Sequence, residues 1–169
     1  MFIVVKFWDI MKIFSEIALV ILVVISTSAL FGGTSSKNIV ATRTPVPPRI
    51  DGYLEEPQWK RSVPVSGFQQ FDPVEGAAPT EETLVYVLYD DKALYIGVEC
   101  KDRNPSEIVY QLTRRDRTAQ SDRFSIMIDS YHDHSTAYLF SGAVSGVKSD
   151  GFFLKDKTAY DIQWDAVWN

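Results

Sequence analysis

Leu84–Cys100 reads LVYVLYDDKALYIGVEC, and this stretch decides the fold class. Leu84–Tyr89 is apolar, β-branched and aromatic on both faces, the composition of a central strand. Asp90-Asp91-Lys92 is short and polar, a tight connection. Ala93–Cys100 then alternates: Leu94, Ile96, Val98 and Cys100 share one face, while Tyr95, Gly97 and Glu99 share the other. A period of two is a strand period, so the stretch predicts a β-hairpin. Cys100, in phase with three apolar residues, is expected to be a buried, inert thiol.

The same pattern extends downstream. Phe124–Ser130 places Phe124, Ile126 and Ile128 inward, with Ser125, Met127 and Asp129 outward. Tyr131–Ser135 is its turn and Thr136–Val144 the returning strand. Gly146–Gly151 predicts a turn, Phe152–Leu154 a brief strand and Trp164–Trp168 the last strand. Upstream, Ile39–Thr42 predicts a first strand and Val65–Phe71 another. Tyr53–Lys60 has room for one helical turn around Leu54 and Trp59, limited by Pro57, with Trp59 plugging one end of the core. Pro105–Leu112 predicts a short helix or an irregular crossover. Seven or more short strands spaced by turn residues, without a helix long enough for a βαβ crossover, predict an all-β antiparallel β-sandwich. Its apolar last strand has no turn or cap, so the sandwich is expected to be incomplete at the C-terminus, the N-terminal piece of a longer protein.

The chain has 169 residues, of which 46% are hydrophobic and 23% charged, with a net charge of −5. That suits one domain and excludes intrinsic disorder. It also excludes a nucleic-acid partner, since no basic excess is present to displace counterions from phosphates. One cysteine excludes an internal disulfide and a thiolate zinc site. Ile17–Ile25 (IALVILVVI) follows Lys12 and precedes Ser26-Thr27-Ser28-Ala29. A basic residue, a short apolar core and a small-residue exit predict a secretory signal peptide over residues 1–29, with Met11 an alternative start. The run falls short of the ~20 apolar residues of a membrane span. Residues 30–38 form a polar spacer and 39–169 the sandwich. The expected location is the periplasm, the outer membrane or the extracellular space. Removing 1–29 takes away two basic and two acidic residues, so the acidic balance survives.

Few residues carry visible chemistry. The chain has no G-x-S-x-G, no Gly- and Lys-containing phosphate loop and no H-E-x-x-H. His132 and His134 sit in a turn, where solvation is the ordinary state; with Asp129 and Asp133 they offer a metal-ligand set. Glu55/Glu56, Glu81/Glu82 and Asp90/Asp91 are adjacent acids beside turns. Such neighbours diverge, whereas glycoside hydrolysis needs two carboxylates facing each other across a cleft. No catalytic residue is therefore assigned. Arg114-Arg115-Asp116-Arg117 and Asp122-Arg123 are either a solvated ion-pair cluster or a polar rim for a ligand. Trp164 and Trp168, four apart on an extended segment, face one side together with Ala166. Two indoles on one face are either sandwich core or a platform on which a sugar stacks.

Three stretches together resemble a known family: PPRIDGYLEEPQW (Pro47–Trp59), YVLYDDKALYIGVECKD (Tyr86–Asp102) and SDRFSIMIDSYHDHSTAYLF (Ser121–Phe140). TRRD (Thr113–Asp116) and WDAVW (Trp164–Trp168) add to the match. The pattern resembles a family 9 carbohydrate-binding module, in the variant that precedes an outer-membrane β-barrel-like region, over about residues 39–169. The resemblance implies a non-catalytic β-sandwich that tethers an exported protein to a polysaccharide or oligosaccharide, associated with carbohydrate catabolism and with attached glycoside hydrolases. It also implies structural calcium; no other cofactor is evident. At the family's sugar grip Asp122 matches, while Ala119 and Ser125 stand at flanking grip positions, and Ser141 and Ala143 follow Phe140. The candidate carbohydrate-binding residues are Trp164, Trp168, Arg114, Arg115 and Asp122. The alternative is a structural or interaction domain that packs on a downstream barrel, with membrane contact only through the leader or a C-terminal region. A remote alternative is part of a glycoside hydrolase.

Overall fold

A computed structural model describes residues 2–6 (backbone), 38–117, 120–154 and 159–169. The leader expected at 1–29 lies almost wholly outside these residues, apart from strand β1 (Phe2–Lys6). Two four-stranded sheets make up the fold. Sheet A has the order β1-β4-β3-β2, where β2 is Thr42–Arg43, β3 Thr83–Tyr89 and β4 Ala93–Cys100. Sheet B is an antiparallel meander of β5 (Arg123–Ile128), β6 (Ala137–Ala143), β7 (Lys148–Leu154) and β8 (Ala159–Asp161). The all-β sandwich is thus present. All pairings are antiparallel except β2 with β3, which is parallel.

The β3–β4 hairpin forms with Val87 opposite Ile96 and Tyr89 opposite Leu94. Its turn is organised by one side chain. Asp90 accepts the backbone N–H groups of Lys92 (2.7 Å) and Ala93 (2.8 Å) on one oxygen and the Tyr95 hydroxyl (2.8 Å) on the other. Sheet A is buried on both faces, which explains the apolar character of β3 on each. One face sends Val85, Val87, Leu94, Ile96 and Val98 against Phe124 and Ile126 of sheet B. The other packs Leu88, Ala93, Tyr95 and Tyr86 on Trp59 and Leu54. Trp59 plugs this side as expected, 1% exposed. Gly97 is what lets it close: a Cβ there would stand 2.5 Å from Leu54 Cδ2 and 3.1 Å from the indole. Helix α1 (Pro57–Arg61) carries Trp59. Pro57 starts this helix rather than limiting it, because the first turn needs no N–H from its opening residue.

β5 alternates as predicted, with Phe124, Ile126 and Ile128 turned to the core. Elsewhere the sequence expectations need correction. Val65–Phe71 is not a strand; only Val65 pairs, with Val85. The segment after Pro105 agrees with its expectation, a single 3-10 turn at Pro105–Glu107 followed by irregular chain. The turn placed over Gly146–Gly151 is shorter, and β7 already begins at Lys148. Cys100 is exposed, not buried. It is the last residue of β4, paired with Thr83 at the end of the central β3–β4 ladder, beyond the apolar cluster that ends at Val98.

Trp164–Trp168 is likewise not a ladder strand; the last strand is β8. The segment is nevertheless extended in its burial pattern. Trp164 and Ala166 are half-buried and Trp168 is buried, while Asp165 and Val167 are exposed. The three inward residues pack with Phe140, Tyr138, Phe124, Ile126 and Ile128. They cover the part of sheet B's inner face nearest β6 and β7.

Candidate functional site

Within Trp164–Trp168 only Trp168 forms a β-bridge, so the rest of the segment's backbone must find other partners. It finds side chains. On β7 the carboxylate of Asp150 is completely buried, on the same face as Phe140, to which it is paired. One oxygen accepts the Ala166 N–H at 2.6 Å. The other accepts the Trp168 indole N–H at 3.3 Å and the guanidinium of Arg115. Arg115 in turn donates to the Ala166 carbonyl at 3.0 Å and pairs with Asp165 at 2.6 Å and Asp116 at 3.4 Å. Lys148 donates to the Trp168 carbonyl at 2.9 Å and lies 5.2 Å from the centre of its ring. Burial and the nearby Arg115 charge lower the Lys148 pKa, against the opposing pull of Asp150.

The TRRD turn reaches this network through its backbone. Arg117 N–H bonds to the Arg114 carbonyl (3.2 Å), and Asp116 adopts φ 59°, a left-handed conformation that aspartate tolerates. Asp116 N–H then bonds to the Lys148 carbonyl at 3.2 Å, and its carboxylate accepts the Asp150 N–H at 3.1 Å. A buried carboxylate is tolerable when ion-paired and hydrogen-bonded on both oxygens, and Asp150 meets both conditions.

The five predicted site residues therefore do not form one surface. Trp168 is 4% exposed, with its ring edge-on to Phe140 at 5.6 Å between centroids. It belongs to the core and presents no face for stacking. Trp164 is half-buried, 4.7 Å from Tyr138 and 5.8 Å from Phe140 between centroids. Arg115 reaches Trp168 through their shared acceptor Asp150, whereas Arg114 is an exposed turn residue. Asp122 is a clasp: its carboxylate and backbone N–H both bond Val109, and its carbonyl accepts Val144 N–H at 2.9 Å. Of the grip positions, Ser125 bonds Ser141 at 2.8 Å, and Ala119 lies outside the described residues. Asp150 and Lys148 were missed from sequence because both were read as turn residues.

Beside the network lies an open groove of about 350 Å³, lined by Leu112, Thr113, Arg115, Ser145, Gly146, Val147 and Lys148. Its lining mixes two cations and two hydroxyls with two small apolar side chains. Ser145 Oγ is buried without a hydrogen-bond partner. Gly146 takes φ 81° at the β6–β7 turn that forms one wall.

The adjacent acids diverge as expected. Glu81 pairs with Arg103 and Glu82 with Lys101, each at 2.6 Å, while Asp91 pairs with Arg43 and Asp90 holds the hairpin turn. Among the described residues one group of potential metal ligands converges, Asp129, His132 and His134. Two imidazoles and one carboxylate do not suit calcium, which takes six to eight oxygens. No helix among the described residues is long and apolar enough to cross a membrane. No family model matches the chain, and no curated protein or solved structure does so either.

Proposed function

We propose that the chain is a non-catalytic, carbohydrate-binding-type module of an exported protein, holding a polysaccharide or oligosaccharide in the groove beside Arg115 and Lys148. The observation that carries this reading is the groove itself. Arg115 is fixed by Asp150, Asp116 and Asp165, so its position is set before a ligand arrives. Leu112 and Val147 offer apolar contact to the C–H face of a sugar ring, and Thr113 offers a hydroxyl. The grip differs from the one the sequence suggested, because Trp168 is core. Affinity electrophoresis against a panel of neutral and acidic glycans tests it. Retardation by at least one glycan, reduced in Lys148→Ala and Thr113→Ala, is expected. Equal mobility with every glycan sinks the proposal.

Burial of Trp168 favours a second reading, a structural or interaction domain that packs on the remainder of the exported protein. It predicts flat glycan responses together with less acrylamide quenching of Trp164 in a longer chain than in residues 30–169.

A further inference from the structure

The turn between β5 and β6 brings three metal-ligating side chains together, away from the groove. Asp129 follows the last residue of β5, and His132 and His134 follow it in the loop. The ligand atoms of all three lie within 4.8 Å of one another. His134 Nδ1 is 3.8 Å from Asp129 Oδ2, and the two imidazole centroids are 4.6 Å apart.

The backbone explains the convergence. His132 and His134 have φ of 51° and 57°. Left-handed backbone is adopted by only a few per cent of non-glycine residues, histidine among the more tolerant, and here it occurs twice within three residues. The tight curl places alternate side chains on one side of the loop. Asp129 anchors it, accepting the N–H groups of His134 (2.8 Å) and Asp133 (3.2 Å). The His132 N–H bonds this carboxylate as well, so of its four acceptor sites one remains for a further partner. Asp133 has less to offer. Its carboxylate takes the N–H groups of Ser135 and Thr136 and the Thr136 hydroxyl, which closes the turn.

From this geometry we propose that Asp129, His132 and His134 form a binding site for a divalent transition-metal ion such as Zn²⁺. Imidazole nitrogens select zinc, nickel and copper over calcium and magnesium, and a single carboxylate is compatible with that choice. Ligand atoms around tetrahedral zinc are about 3.3 Å apart for bonds near 2.05 Å. The required closure is a small rotation of two imidazoles, of which His134 is 78% exposed. Asp129 is the least exposed of the three and stays in place. Three protein ligands leave the fourth position open to water.

Zn²⁺ titration of the full chain by calorimetry tests the site. One equivalent is expected to bind with Kd below about 100 μM. His132→Asn and His134→Asn should each weaken binding at least ~10-fold, because each removes one of three ligands. Asparagine accepts left-handed backbone, so these variants keep the turn, and an unchanged thermal melt verifies it. Ca²⁺ should give no comparable binding. The proposal is overturned if no Zn²⁺ binds at millimolar concentration or if the double variant binds as well as the parent. It is also overturned if Cys100→Ser, rather than the histidine changes, abolishes binding.

Discussion

Sheet A packs through apolar side chains on both faces, whereas the segment covering part of sheet B's inner face is fastened by a polar clamp. In sheet A, Val85, Ile96 and Val98 face one way and Leu88, Ala93 and Tyr95 the other, each against apolar partners. In sheet B, Phe140 lies beside Asp150, and the cover over both is an unladdered segment held by Asp150, Arg115 and Lys148. Apolar packing is distributed, so losing one contact is partly absorbed by its neighbours. A buried carboxylate concentrates the load on one group, and its removal strands every donor that depended on it.

The largest expected effect is therefore at Asp150. Asp150→Ala leaves the Ala166 and Trp168 N–H groups and the Arg115 guanidinium without their shared acceptor. The cost is about 3–5 kcal/mol, typical of removing one partner of a buried pair. For a domain of this size that corresponds to a drop of roughly 10 °C in Tm. Trp168 emission should shift red as the segment lifts. A change of under about 2 °C in a differential scanning experiment would remove the contrast between the two sheets.

Hydrocarbon closure is challenged at Gly97. Gly97→Ala forces a methyl group toward Leu54 and Trp59, and the fixed β4 backbone leaves only those side chains to yield. Overpacking of this kind costs about 1–3 kcal/mol. The expected result is a lower denaturant midpoint with unchanged slope m, and no change in Trp168 exposure. If Trp168 responded as it does in Asp150→Ala, the two sides would be one mechanical unit.

The same division explains what sequence could and could not reveal. β5 was legible because its burial alternates with period two, and the β3–β4 hairpin because an apolar, β-branched and aromatic run suits a strand covered on both faces. Trp59 was legible as a core plug from its place after a turn and Leu54. Cys100 kept the phase but lay beyond the covering layer, which local periodicity does not report. β7 was largely read as a turn, since Lys148, Ser149, Asp150 and Gly151 resemble loop composition. Their place in a strand depends on Arg115, 35 residues away from Asp150, and on Trp168. Only tertiary contact makes an inward aspartate acceptable there. The inward phase of Trp164, Ala166 and Trp168 was readable, but the absence of a ladder beside them was not.

A smaller effect appears in alkali, and it samples both regions. Burial, then a hydrogen bond with Tyr131, pushes the Tyr138 phenol in sheet B up to about 12. Burial and then Asp90 raise the Tyr95 phenol in sheet A further still. Both folded pKa values lie above the ordinary value of 10.0. The folded state thus holds these protons more tightly than the unfolded chain. Their contribution is complete below pH 10; that of Tyr138 is lost as pH rises through about 12, and that of Tyr95 at higher pH still. Tm should be flat to pH 10 and then fall, and Tyr138→Phe should flatten the early part of the fall. An identical slope in that variant would exclude Tyr138 as its source.

The smallest expected effect separates two adjacent acids at the tip of the sheet A hairpin. Asp90 is built into the turn through Lys92, Ala93 and Tyr95, as Asp150 is built into the clamp. Asp91 makes one ion pair, with Arg43 at 2.6 Å, and both side chains are largely in water. Solvent screening and the entropy of fixing two long side chains cancel most of the attraction. Asp91→Asn should therefore shift Tm by no more than about 1 °C, at low and at high salt alike. A loss of several degrees at low salt would show that charge, not hydrocarbon, fastens β2 to β3. The electrostatic character now assigned to sheet B alone would then extend to the edge of sheet A.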